Sequence, residues 1–261
     1  TYLGVHRGGY SPFFMALPND VQPGDRVQLV VRVDNTLDDH TIPAEKMGWE
    51  SYGGLYRSVY LIEQPPVRPT NVQAIPTVHS NGAAELSVSG RVTNSLSSTY
   101  RGPIRFRLEA KDGSVVGKER TRVELAPGDA TSFDIRMKVA SPKLWHPKHP
   151  YLYTLRANWA ASEAEGGTDR LAFPVGLRSF EVRGHKVFLN HERIWLQGFG
   201  HHESFGDHGP VIPDKVRQRA LTRMKDQFHV NALRPGHYPN HPKLYNLCDR
   251  MGILVMAEIP A

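Results

Sequence analysis

The chain has 261 residues, 32 Lys+Arg against 26 Asp+Glu, and a formal net charge of +6. Its 39% hydrophobic and 22% charged content is that of a globular protein and excludes a disordered or collagen-like chain. The one cysteine, Cys248, excludes an internal disulfide framework and a Cys-based zinc site. No apolar run approaches the roughly 18 residues that span a bilayer, so no membrane partner is expected. The densest basic run, Lys118-Glu119-Arg120-Thr121-Arg122, carries its own acid. The basic residues otherwise read as scattered, and no nucleic-acid partner is expected.

Thr1-Tyr2-Leu3-Gly4-Val5 opens the chain like a strand already in progress, with no targeting segment, so the compartment stays undetermined. Residues 1–65 read as all-β. Val27, Leu29, Val31 and Val33 alternate with polar residues between turn signals at Gln22-Pro23-Gly24-Asp25 and Asp34-Asn35. A second strand is expected from Tyr56 to Ile62. Pro65, Pro66 and Pro69 form a stiff connector.

Residues 66–179 show four more alternating runs. They are Leu86, Val88, Gly90 and Val92; Ile104, Phe106 and Leu108; Phe133, Ile135, Met137 and Val139; and Tyr151, Tyr153, Leu155 and Ala157. Turn signals at Asp112-Gly113 and Pro127-Gly128 separate them. This spacing predicts an immunoglobulin-like sandwich without the paired cysteines of antibody domains.

From residue 180 the pattern changes. A hairpin over Phe180 to Ile194 leads into an apolar strand, Ile194-Trp195-Leu196. Pro213-Asp214 open a helix with Val216, Ala220, Leu221, Met224 and Phe228 inward. Val230 to Leu233 is a strand. Pro242 opens a second helix with Leu244, Cys248 and Met251 inward and Gly252 at its end, and Ile253 to Met256 is a third strand. Strand, helix, strand, helix, strand is parallel α/β order. A (β/α)8 barrel takes about 250 residues, and an open parallel sheet with bare edges is poorly stable. Residues 180–261 are therefore expected to be the start of a longer barrel.

In such a barrel function sits at the C-terminal strand ends. Those positions hold Gly198-Phe199-Gly200-His201-His202-Glu203, then Arg234-Pro235-Gly236-His237-Tyr238-Pro239, then Glu258-Ile259-Pro260-Ala261. Imidazoles, a guanidinium and carboxylates on one rim suit a hydroxyl-rich ligand. The competing reading makes Glu203 or Glu258 a plain ion-pair partner of Arg234 and His201 a solvated loop residue. A metal site is not expected, because His201, His202 and Glu203 are adjacent and cannot all face one ion from a strand.

The stretches Trp195 to Glu203, Asn231 to Pro239, Cys248 to Ile253 and Ala257 to Ala261 resemble consecutive parts of the catalytic barrel of glycoside hydrolase family two, which includes β-glucuronidases and β-galactosidases. His6-Arg7-Gly8-Gly9-Tyr10-Ser11-Pro12-Phe13, Val33-Asp34-Asn35 and Tyr52 to Val59 resemble its sugar-binding jelly roll. Trp145-His146-Pro147, Pro150 to Tyr153 and Gly176-Leu177-Arg178 resemble the end of its sandwich domain. The resemblance implies a multidomain β plus α/β protein: a jelly-roll domain over 1–65, an immunoglobulin-like sandwich over 66–179 and the first strands of a (β/α)8 barrel over 180–261.

The motifs Gly198-Phe199-Gly200-x-His202-Glu203 and Asp34-Asn35…Thr41-Ile42-Pro43 lean toward the β-glucuronidase branch. Two departures are Pro235-Gly236 before His237-Tyr238-Pro239, and Gly48 where β-glucuronidases commonly carry an acid. The resemblance implies a retaining glycosidase acting on terminal β-linked sugars, with two carboxyl groups about 5–5.5 Å apart. No cofactor is expected. The resemblance makes His202, Arg234, His237 and Glu203 substrate-binding residues: His202 and His237 on the sugar, Arg234 beneath the nucleophile. The family's acid/base and nucleophile come from its fourth and seventh barrel strands, so the expectation is no catalytic residue among these 261 and no turnover by this chain alone. The partner implied is a β-glycoside. Family members are commonly homo-oligomers, and the sequence shows no interface signature. The alternative is a non-catalytic carbohydrate-binding or sensor protein of the same fold.

Overall fold

The computed structural model of the chain describes residues 1–18, 20–38, 41, 52–160 and 168–259. They form two compact units. One comprises Leu61–Leu196 with Asp249–Gly252; the other comprises Thr1–Tyr60, Gln197–Cys248 and Ile253–Ala261.

The first unit is a β-sandwich. Its strands are β1 (Val67–Val78), β2 (Ala84–Asn94), β3 (Tyr100–Glu109), β4 (Val115–Leu125), β5 (Ala130–Val139), β6 (Tyr153–Ala160) and β7 (Thr168–Val175). They pair antiparallel in two sheets, β1-β2-β5 and β4-β3-β6-β7. The alternating runs expected from the sequence fill the space between the sheets. Leu86, Val88, Val92, Ile104, Phe106, Leu108, Met137 and Leu155 are buried in one cluster, as a half-buried pleated strand requires.

Two buried polar groups are fully engaged. Asn94 donates to the carbonyls of Ser98, Leu125 and Ala126 at 3.0, 3.0 and 3.2 Å, and its Oδ1 accepts from Leu96 N at 3.0 Å. Trp159 Nε1 donates to Val67 O at 2.6 Å. Trp145 is also buried; its indole donates to Asp249 O at 2.8 Å, and the Arg178 guanidinium stacks 4.8 Å from its ring. Gly252 has φ +74°, and a Cβ there would collide with the Pro147 carbonyl, so glycine is required on both counts.

Residues 180–194 form a three-stranded meander rather than the expected hairpin: β8 (Phe180–Arg183), β9 (Lys186–Leu189) and β10 (Glu192–Ile194), in the order β10-β9-β8. Asn190 and His191, both at positive φ, form the two-residue turn that adds the third strand.

The second unit contains β11 (Gly198–His201), α1 (Asp214–Phe228), β12 (Ala232–Pro235), α2 (Pro242–Met251, whose last three residues belong to the first unit) and β13 (Leu254–Val255). The strands pair parallel as β11-β12-β13. Pro213 precedes α1, and His229 closes it in the left-handed region, its N–H donating to Met224 O.

Several expectations need correction. The strands over Val27–Val33 and Tyr56–Ile62 do not form: no described residue of 1–65 lies in a strand. Alternation marks an apolar face, but a strand also needs a neighbour for its backbone groups. Val27, Leu29, Val31 and Val33 are instead 44–58% exposed. The first parallel strand lies at 198–201 rather than 194–196, and Trp195 is 75% exposed. Phe228 is exposed too, and Arg217 takes an inward position beside Leu221. Ile42-Pro43 and Gly48 lie outside the described residues.

Candidate functional site

Three chain segments leave the parallel sheet from the same end. Gly200 pairs with Arg234 and His201 with Pro235, so His202 and Arg234 emerge from neighbouring strands. Met256 N donates to Leu233 O at 2.9 Å, which brings Glu258 to the same rim. Arg234 Nε donates to Glu258 Oε1 at 2.5 Å. His237 Nδ1 lies 3.1 Å from Glu258 Oε2 and 3.4 Å from the Arg234 guanidinium. Nδ1 is within reach to donate to that carboxylate, which ties the imidazole to the Arg234–Glu258 pair. The His202 ring meets the His237 ring edge-on, with centroids 5.2 Å apart.

Burial pushes the Glu258 carboxyl up. The Arg234 hydrogen bond and charge, with His237 adding to them, outweigh that and hold it below the usual carboxylate range. The Arg234 side chain is 51% exposed, because the strand end opens to solvent. Its anionic partner is Glu258, as in the competing ion-pair reading. Arg234 and His237 therefore hold one carboxylate between them, with the exposed His202 ring beside His237. Such a cluster fits the hydroxyls or an anionic group of a small polar ligand.

Glu203 differs from these three. Its side chain is 3% exposed and both of its oxygens are engaged. Oε1 accepts from Arg217 at 3.0 Å, Oε2 from Arg57 at 2.9 Å, and His241 N lies 3.0 and 2.9 Å from the two. Arg217, equally buried, also reaches Asp214 at 3.1 Å. Arg57 donates to Tyr10 O at 3.1 Å and to Pro239 O at 2.7 Å. Tyr10 stacks on Tyr238 at 4.2 Å and 7°. Burial drives the Tyr238 hydroxyl up to about 12 and holds the His201 and His241 imidazoles below their ordinary value. Glu203 thus ties the segment bearing Tyr10 and Arg57 to α1 and to the loop after β12.

Arg57, Arg217 and Tyr10 were not singled out from the sequence as site residues. Arg57 lies 146 positions from Glu203, beyond any local pattern. Arg217 carried a signal: it sits four residues before Leu221 on the apolar face of α1. Among the described residues no group of three His, Cys, Asp or Glu is placed to hold a metal ion. No described helix is long and apolar enough to cross a membrane.

This parallel rim, following a seven-stranded sandwich, has counterparts among known proteins. Residues 67–178 match the model "Glycosyl hydrolases family 2", and residues 180–261 match "Glycosyl hydrolases family 2, TIM barrel domain". The chain belongs to glycosyl hydrolase family 2, with that family's immunoglobulin-like domain and sequence from its barrel domain. It is 27% identical over 262 residues to a beta-galactosidase of Thermoanaerobacter pseudethanolicus, covering 99% of this chain and 34% of that protein. It is 30% identical over 258 residues to a putative beta-glucuronidase of Formosa agariphila, covering 98% and 30%. The crystal structure of Parabacteroides merdae beta-glucuronidase superposes with a TM-score of 0.76 at 27% identity, over 87% of this chain and 28% of that one. The chain thus spans about a third of the length of the curated relatives it matches.

Proposed function

We propose that these residues belong to a retaining glycosidase that removes terminal β-linked sugars, a β-glucuronide or a β-galactoside, and that they supply the sugar-contacting rim rather than the reacting acids. Within it, residues 1–65 stand at the chain position of the family's sugar-binding domain, 66–179 are the sandwich and 180–261 the start of the barrel. The observation that carries the reading is the Arg234–His237–Glu258 cluster, with His202 beside it, at the C-terminal end of a parallel sheet. His202 and His237 contact sugar hydroxyls. Arg234, fixed by Glu258, presents its remaining donors to a carboxylate in the pocket and keeps that group ionised.

Neither carboxylate of this rim is available as acid or nucleophile. Glu203 is buried between two arginines and a backbone N–H, and Glu258 is held by Arg234 and His237. Hydrolysis needs one carboxylic acid to protonate the leaving oxygen and a second carboxylate to attack the anomeric carbon. These residues alone therefore bind without cleaving. The occupied state of both acids is also what a non-catalytic sugar-binding or sensor protein would display, and that is the second reading.

The test is turnover of 4-nitrophenyl β-D-glucuronide and β-D-galactoside. The 261-residue chain is expected to release no nitrophenol, and the native-length protein to release it from one of the two. Turnover by the chain itself contradicts the assignment of the acids. A native-length protein that binds the sugar and cleaves neither substrate supports the second reading.

A further inference from the structure

The sheet β4-β3-β6-β7 shows its outer face to solvent, and that face is basic. Strand register builds it. Lys118, Arg107 and Arg156 stand directly opposite one another on β4, β3 and β6. Arg120 and Arg105 start a parallel row that ends at Arg170 on β7. Arg122 follows Arg120 on the same face of β4, opposite Pro103. All of these side chains are exposed. The acids on this face are Glu109, which pairs with Arg156 at 2.6 Å, and Glu124, which pairs with Arg101 at 2.7 Å. Among the described residues, Arg105, Arg107, Lys118, Arg120 and Arg122 make no ion pair.

Like charges placed directly opposite, about 4.7–4.9 Å from strand to strand, oppose folding. Guarding a sheet edge with charge accounts for Lys118, Arg120 and Arg122, because β4 is an edge strand. It does not account for Arg105, Arg107 and Arg156, which lie on interior strands. The outer face of the companion sheet shows no such arrangement. There Lys138 stands opposite Glu85, Arg136 opposite Ser87 and Ser89 opposite Asp134.

We propose that this face is a docking surface for an acidic glycan, a polysaccharide bearing carboxylate or sulfate groups. Charge complementarity sets the sign of the partner. Its class follows from what the face lacks and from the family. The outward positions named carry no aromatic side chain on which a base could stack, and a flat sheet face offers no element to enter a duplex groove. The family's own ligands are glycosides, so the choice of a glycan rests on the glycosidase reading. The face would hold a charged polymer while a chain end is processed at the rim. Cleavage of a small aryl glycoside needs no such surface, so the two proposals fail separately.

The test is titration of the 261-residue chain with polygalacturonate, dextran sulfate, neutral dextran and a short DNA duplex at low and physiological salt. Polygalacturonate or dextran sulfate is expected to bind, with affinity falling at least about tenfold across that salt range; the tighter of the two identifies the anionic group. Neutral dextran is expected not to bind. Arg105→Ser with Arg107→Ser should weaken binding at least about tenfold and leave the melting temperature unchanged or raised, since opposed charges are removed. Arg136→Ser with Lys138→Ser removes the same net charge from the other sheet and should change affinity less than about twofold. Equal losses from the two pairs would overturn the assignment of this face. Tighter binding of the DNA duplex than of either acidic glycan would overturn the glycan class, and no binding of any polyanion would overturn the proposal.

Discussion

Removing the Glu203 carboxylate tests what holds the second unit together. In Glu203→Ala the Arg57 guanidinium, 23% exposed, can turn to water and keeps the Tyr10 and Pro239 carbonyls. Arg217 cannot: its side chain is 3% exposed, its Nε is buried without a hydrogen-bond partner, and its remaining ion partner is Asp214, itself 61% exposed. A buried guanidinium robbed of its carboxylate costs about 3–5 kcal/mol. Two units need not unfold together, so a single melting curve would blur this loss. Amide hydrogen exchange reads it locally. Protection in α1 and across residues 238–241 should fall by roughly two to three and a half orders of magnitude, at about 1.4 kcal/mol per decade. Amides of β2 and β5, which share none of these bonds, serve as the internal reference. Arg217→Met added to Glu203→Ala should restore much of the protection, because the stranded charge goes with it. A fall of less than about tenfold in α1, similar to that from removing the exposed Arg101–Glu124 pair, would refute the view that Glu203 anchors this unit.

Other expectations follow from single groups. Tyr238 should ionise late, at about 12, after tyrosines at the ordinary value of 10.0. The folded value lies above the unfolded one, so its contribution to stability is full below the unfolded value and is lost as pH rises from there through the folded value. Tyrosinate absorbance should show a late phase that Tyr238→Phe removes; an unchanged titration would contradict the burial. Gly252→Ala combines a strained φ with a collision at Pro147 O and should destabilise the first unit by about 1–3 kcal/mol in urea unfolding; a neutral result would contradict the close approach. In the native-length protein His202→Ala should raise KM for the nitrophenyl glycoside with little change in kcat; an unchanged KM would make His202 a structural residue.

The sandwich was legible because period-two alternation over long strands overdetermines which face is inside. All of Leu86, Ile104, Phe106 and Met137 were readable and all are buried. The same rule failed at Val27–Val33, because alternation specifies an apolar face and not the strand that must pair with it. The helices were placed by Pro213, Pro242 and Gly252, punctuation with a steric cause. The rim was half legible. Strand order gathered His202, Arg234 and His237 at one end, and the ordered motifs supplied the family. The distinction between Glu203 and Glu258 was not readable, since it depends on which arginine each one meets, and Arg57 arrives from a remote segment. The basic sheet face was hidden for a related reason. Its charges are spread over four strands and meet only through register, so a scan along the chain reports them as scattered.

The proposed retaining mechanism gives Arg234 its clearest role, since a guanidinium that keeps an attacking carboxylate ionised matters more as charge develops than when substrate merely rests in the pocket. Glu258 orients that guanidinium and His237 together. The most direct measurement is the steady-state kinetics of Arg234→Ala in the native-length protein with a nitrophenyl β-glycoside. The expected result is a kcat lower by on the order of a hundredfold or more, with KM within about threefold of the parent. A raised KM with kcat preserved would make Arg234 a simple binding residue and contradict the account.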